Sequence, residues 1–205
     1  MRVYQVEELK ENLCTPMVIC LGVFDGVHLG HLRLINEAID IARENGMETL
    51  VHTYDPLPAN VINPQKPVCD LTPIGLRLRL LQDAGVQNTA VSKFTHELQH
   101  QSGRDFFQQI LLGKLNAKHI VAGFNHHFGF KADTDVDRLQ EMCREAKIGL
   151  SVIPPVQTPE GKLICSTAIR ILIQENDLEG AAIMLGRPVD AELLLCMRNQ
   201  VNTVS

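Results

Sequence analysis

MVICLGVFDGVHLGHLRLINEAIDIARENGMETLVHTY, residues 17–54, carries a strand, a glycine turn, a helix and a second strand in one run. MVICLGVF (17–24) is continuously apolar, the pattern of a buried strand. Downstream, Leu32, Ile35, Ile39 and Ala42 recur at helical spacing, and Gly46 supplies a stop. METLVHTY (47–54) then reads as a strand again. Between strand and helix lies GVFDGVHLGH (22–31), with three glycines and two histidines placed three residues apart as the helix begins.

The same alternation continues along the chain. DPLPANVINPQKPVCD reads as a Pro- and Asn-rich loop, TPIGLRLRLLQDAG as a helix and NTAVSKF as a strand. SGRDFFQQILLGKL is helical, with Ser102 as its N-cap and Phe106, Ile110 and Leu111 as its apolar residues. KHIVAGF (118–124) is a strand, TDVDRLQEMCREAKIG a helix and LSVIPP a strand; GKLIC suits a short hairpin arm. STAIRILIQEN and DLEGAAIMLG close the pattern as helices. Strands alternating with helices over about 155 residues imply βαβ units and a mainly parallel α/β sheet.

Composition bounds the function. At 205 residues with 45% hydrophobic and 21% charged positions, the chain suits one globular domain. A net charge of −5 argues against an extended nucleic-acid interface, though not against a single nucleotide in a locally positive cleft. Cysteines at 14, 20, 69, 143, 165 and 196 form no CxxC pair and read as reduced thiols. MRVYQVEELKEN at the N-terminus lacks the apolar segment of a signal peptide. No apolar run approaches the roughly 20 residues that span a bilayer. A cytoplasmic protein without membrane or nucleic-acid partners is expected.

In a parallel sheet, ligands bind beyond the carboxyl ends of the strands, where a glycine-rich turn enters a helix. Gly22, Gly26 and Gly30 permit close approach of a phosphate, and His28 and His31 add donors there. Other readings of the turn stay open on spacing alone. His-x-x-His could be half a zinc site, although no second ligand pair stands at a suitable spacing. The glycines could form only a tight turn beside surface histidines. A dinucleotide fingerprint matches poorly. Likewise Ser166 and Thr167 of CSTAIR (165–170) could simply cap a helix, leaving Arg170 on the surface. Within GFNHHFG (123–129), His126 and His127 read as turn residues.

GVFDGVHLGH resembles the signature of the bacterial FAD synthetases, specifically their FMN adenylyltransferase domain in the superfamily of nucleotidyltransferases with a His-x-Gly-His motif. HTYDPLP (52–58), LTPIGLRLRLLQDAGV with Arg77, GFNHHFG, CSTAIR and DLEGAAIMLGRP (177–188) resemble further family segments in order, covering roughly residues 15–188. The resemblance implies a Rossmann-like, doubly wound sheet with helices on both faces. It implies a nucleotidyltransferase domain over 1–188 and a tail over 189–205. The implied reaction joins ATP and FMN to give FAD and pyrophosphate, with Mg²⁺ carried on the phosphates. His28 and His31 would stabilise charge, while Asp25 would help the metal or brace the loop. Gly22, Phe24, Gly30, Ser166, Thr167 and Arg170 would bind ATP, and Asn125 and Phe128 would contact flavin or nucleotide.

The match departs from the family pattern at Leu57, where His is frequent, at Thr134, where Gly is frequent, and at Cys165, which replaces a Ser. Bifunctional members continue into a riboflavin kinase barrel, whereas 17 residues follow Pro188 here, too few for that barrel. Two rival expectations follow. One is transfer to another phosphorylated acceptor, such as a pantetheine or a sugar-alcohol phosphate. The other is a catalytically impaired nucleotide- or flavin-binding paralogue.

Overall fold

The computed structural model describes residues 1–191 and 194. Most of the tail expected over 189–205 therefore lies outside the described residues. Six strands form one parallel sheet: β1 (Arg2–Gln5), β2 (Met17–Leu21), β3 (Glu48–Tyr54), β4 (Asn88–Ser92), β5 (Ala117–Gly123) and β6 (Gly149–Ile153). Their spatial order is β1-β4-β3-β2-β5-β6. From β2 the chain winds outward through β3 to β4, then returns to the other side of β2 for β5 and β6. This is the Rossmann arrangement with β1 added at one edge, and its direction reverses between β2 and β5.

The helices are α1 (Leu29–Asn45), α2 (Pro58–Ile62), α3 (Ile74–Asp83), α4 (His96–Gln99), α5 (Gly103–Asp105), α6 (Val136–Ala146), α7 (Ser166–Gln174) and α8 (Leu178–Leu185). A π-helical stretch, Phe106–Lys114, continues α5. Every residue of β2 is buried, and its side chains feed two cores alternately. Met17, Ile19 and Leu21 pack with Phe106, Leu111, Leu139 and Met142. Val18 and Cys20 pack on the opposite face with Ile35, Ala38 and Ala42 of α1 and Leu81 of α3. Full burial of each such aliphatic side chain contributes about 1.5–3 kcal/mol. A third cluster joins α7 and α8 to Leu71 and Ile164. The α1 helix ends as its sequence foretells: Gly46 adopts φ 63° and its N–H returns to Ala42 O.

Several local expectations need correction. β1 has an exposed, non-alternating pattern that gives no sequence signal of a strand. The 55–70 loop contains α2, and α4 forms where no helix was expected. The GKLIC arm does pair as a short hairpin: Gln157 and Leu163 bridge antiparallel, Thr158 N donates to Lys162 O and Ile164 N to Val156 O, both at 2.9 Å. Cys14, Cys20, Cys143 and Cys165 are free thiols as expected, whereas Cys69 is disulfide-bonded. Among the described residues, no helix is long and apolar enough to cross a membrane.

Candidate active site

The glycine turn leaves β2 at the topological switch point. Phe24, Gly26 and Val27 all take positive φ, at 55°, 91° and 37°. For a buried Phe and a β-branched Val this is a strained backbone, held by its surroundings. The strain turns the chain sharply enough for His28 to occupy the N-cap of α1, where its Nδ1 accepts the His31 N–H at 3.3 Å. His31, one turn into α1, stacks on it with ring centroids 3.6 Å apart and planes 15° from parallel. Burial pushes the His28 imidazole down to about 4. Burial, then the neighbouring His28 and Arg77, holds His31 well below the ordinary range. Both rings are therefore neutral near pH 7. With Nδ1 of His28 accepting, its proton sits on Nε2, leaving that N–H as a donor.

A second helix start faces the same cleft. The N-cap position of α7 is Cys165, which makes no side-chain capping bond. Ser166 is not a cap: its Oγ donates to Asp25 O at 2.8 Å, tying α7 to the glycine turn. Cys165, Ser166 and Thr167 line the cleft with Gly22, His28, Gly30 and His31. Phe24 lies beneath the turn, its ring 4.9 Å from that of His31. Asp25 and Arg170 stand one layer behind. The Asp25 carboxylate is buried and accepts from Leu71 N, Thr72 N, Thr72 Oγ1 and the Arg170 guanidinium. Of the two roles open for Asp25, its geometry is that of a brace. Arg77, expected only as a basic position on a helix, is fully buried beside it.

The cleft encloses about 970 Å³, and its remaining wall sets aromatic rings among aliphatic and proline side chains such as Leu34, Ile62, Leu98 and Pro155. The chain has two Tyr, seven Phe and no Trp. Six of these aromatics, Tyr54, Phe94, Phe106, Phe124, Phe128 and Phe130, line the cleft. Tyr54 meets Phe94 edge-on at 5.4 Å, and Phe130 stacks on His100 at 4.8 Å. Asn125 and Phe128, at the end of β5, lie in this wall, as do His126 and His127. Thr134, the unusual residue of that segment, is buried and pairs with Phe128 through two backbone bonds of 3.0 and 3.1 Å. Leu57 is buried at the N-cap position of α2. Tyr54, Phe94, His100 and Phe130 were not foreseen as site residues; the scarcity of aromatics elsewhere in the sequence was their only signal.

Residues 10–168 match the family model described as FAD synthetase. The chain belongs to the FAD synthetase family. It is 33% identical over 172 residues to a Listeria monocytogenes FAD synthetase, covering 83% of this chain and 69% of the relative. It is 34% identical over 172 residues to the Bacillus subtilis bifunctional riboflavin kinase/FMN adenylyltransferase, covering 83% of this chain and 54% of that protein. The chain thus spans about half the length of such bifunctional relatives. Among solved structures, a Streptococcus pneumoniae protein named as a macrolide-efflux protein superposes with a TM-score of 0.79 at 26% identity, covering 92% of this chain and 60% of that one. A Francisella tularensis pantoate–β-alanine ligase shares the fold alone, with a TM-score of 0.55 at 12% identity, covering 99% of this chain and 85% of that one. These likenesses support the doubly wound fold described above.

Proposed function

We propose that this FAD synthetase family member transfers the adenylyl group of ATP to FMN. An FMN phosphate oxygen attacks the α-phosphorus in line, the bond to the β,γ-phosphates breaks, and FAD and pyrophosphate form. The observation that carries this reading is the shape of the cleft: two helix N-termini face an aromatic wall that holds six of the chain's Tyr and Phe residues. Helix starts with histidine and hydroxyl donors suit phosphates. A wall of rings suits a planar, largely apolar heterocycle.

Near neutral pH the FMN phosphate is already anionic, so positioning and charge stabilisation carry the reaction. His28 and His31 would donate to the α-phosphoryl oxygens and the departing pyrophosphate. Ser166 and Thr167 would hold the triphosphate from the α7 side. Asn125 and Phe128 would contact the flavin or nucleotide ring. Among the described residues, no group of three or more His, Cys, Asp and Glu could hold a metal ion. A Mg²⁺ carried by the nucleotide phosphates and water would neutralise phosphate charge.

Purified chain incubated with ATP, Mg²⁺ and FMN is expected to yield FAD and pyrophosphate in equal amounts. Binding of both substrates without FAD would favour an impaired paralogue. Lack of FMN binding would point to another phosphorylated acceptor.

A further inference from the structure

Behind the phosphate end of the cleft lies a buried charged cluster that the transfer step itself does not touch. At its centre is Asp25. Its Oδ1 accepts from Thr72 N at 2.9 Å and Thr72 Oγ1 at 3.2 Å, and its Oδ2 from Leu71 N at 3.1 Å and from Arg170 Nη2. Arg170 Nε donates to Cys69 O at 2.9 Å. Arg77 closes the cluster, with Nη2 3.8 Å from Asp25 Oδ1 and 3.7 Å from Asp70 Oδ2. Arg77 also donates to Tyr54 O at 2.8 Å, Thr53 Oγ1 at 3.1 Å and Thr72 O at 3.1 Å. Two arginines thus face two aspartates, and the buried charges are paired.

This carboxylate joins three separate pieces of chain: the glycine turn, the 69–72 segment and α7. The turn it anchors is strained at Phe24 and Val27, so it depends on external ties to keep its shape. The two donor sets of the cleft sit on α1 and α7, and the Asp25–Arg170 pair spans 145 positions of sequence to link them. Neither Asp25 nor Arg170 lines the cleft.

We propose that Asp25 is a positioning residue, and that Arg170 serves the reaction through its ion pair with Asp25 by fixing the spacing between the N-termini of α1 and α7. This rests on the adenylyl-transfer reading of the cleft. In-line transfer tolerates little misplacement: a shift near 1 Å costs about 100-fold. A pair that sets spacing should therefore act on turnover more than on ATP affinity, and its two members should act as one unit.

The test is a double-mutant cycle of Asp25→Asn and Arg170→Gln, with kcat and the KM for ATP measured in FAD formation. Each single variant is expected to lose about 100-fold in kcat, with the ATP KM within about threefold, and the double variant to be no worse than the poorer single. Multiplying losses, or a tenfold or larger rise of the ATP KM in Arg170→Gln, would show Arg170 acting directly on the nucleotide and overturn the proposal. If Asp25→Asn does not fold, Arg170→Gln decides alone through the same split between kcat and KM. A wild-type chain that forms no FAD removes the adenylyl-transfer reading, and the proposal with it. That outcome differs from an active wild type whose losses multiply.

Discussion

His28 and His31 lie face to face, their ring centroids 3.6 Å apart, with the His31 N–H donating to His28 Nδ1 at 3.3 Å. One imidazole therefore caps the helix that carries the other, and the two rings present themselves to the cleft as a unit. Replacing His31 with Ala is expected to lower kcat by about 100-fold or more, the scale of losing a key electrostatic donor. His28→Ala should lose a similar factor and also destabilise the fold by about 1 kcal/mol, because it removes the α1 cap. Steady-state kinetics and thermal melting of both variants separate the two effects. An unchanged rate in His31→Ala removes that ring from the mechanism.

Gly30 sets the fit of that pair. A Cβ added there would lie 3.1 Å from the His28 ring and 3.5 Å from Ile164 O. The ring is stacked on His31 and has little freedom to retreat. Gly30→Ala should therefore cut kcat by about tenfold. Ala gains up to about 1 kcal/mol of helix propensity over Gly, which offsets part of the crowding cost of about 1–3 kcal/mol, so the melting temperature should fall only modestly. A large drop in melting temperature with normal specific activity would contradict this placement of His28.

Buried histidines make stability depend on pH. Burial lowers His28 to about 4 and His52 to about 3, against an ordinary value near 6.5. Between about pH 6.5 and pH 4 the unfolded chain binds more protons than the folded one. Stability is fully present above pH 6.5 and is lost as the pH falls through that window. The melting temperature should decline from pH 7 to pH 5, and His52→Gln, which removes one such group, should flatten the decline. A melting temperature independent of pH across this range would refute the neutral, buried state of these rings.

Cys165 occupies the N-cap of α7 with φ −154° and ψ 159°, the extended backbone of a capping residue, yet caps nothing. Cys165→Ser supplies an oxygen acceptor in that geometry. It should stabilise the protein by about 0.5–2 kcal/mol without lowering the rate of FAD formation. Chemical denaturation of the two proteins side by side checks this; equal stabilities would mean that the hydroxyl does not reach the α7 amides.

Phe130 stacks on His100, and both line the cleft. With its ring removed, the acceptor loses a stacking surface while the phosphate end is untouched. Phe130→Ala should raise the KM for FMN by about tenfold, near 1.4 kcal/mol, and leave the KM for ATP within about twofold. Equal effects on both substrates would place the flavin elsewhere.

The strand–turn–helix of residues 17–46 was legible because its apolar period changes from strand to helix at three glycines, and β2 and α1 follow it closely. The core strands read easily for a related reason: burial on both faces writes them as apolar runs. The edge strand β1 was not legible, because exposed residues carry no such pattern. Ser102 caps α5 as its spacing indicates, but the register shift into a π-helical stretch at Phe106 has no signature in one sequence. The site divides in the same way. His28, His31, Ser166 and Thr167 stand in short motifs and meet in the cleft. Tyr54, Phe94, His100 and Phe130 come from separate segments and become a wall only through the fold. The buried role of Arg77 arises from carbonyls and carboxylates distant in sequence, which no local pattern encodes.

The most direct measurement follows the fate of each ATP phosphorus. With ATP labelled at the α-phosphorus, Mg²⁺ and unlabelled FMN, the label should appear in FAD. It should appear at the rate at which γ-labelled ATP releases labelled pyrophosphate, and both should slow together in His31→Ala. Label that stays in ATP, or that is released as AMP while FMN persists unchanged, would contradict adenylyl transfer in this cleft.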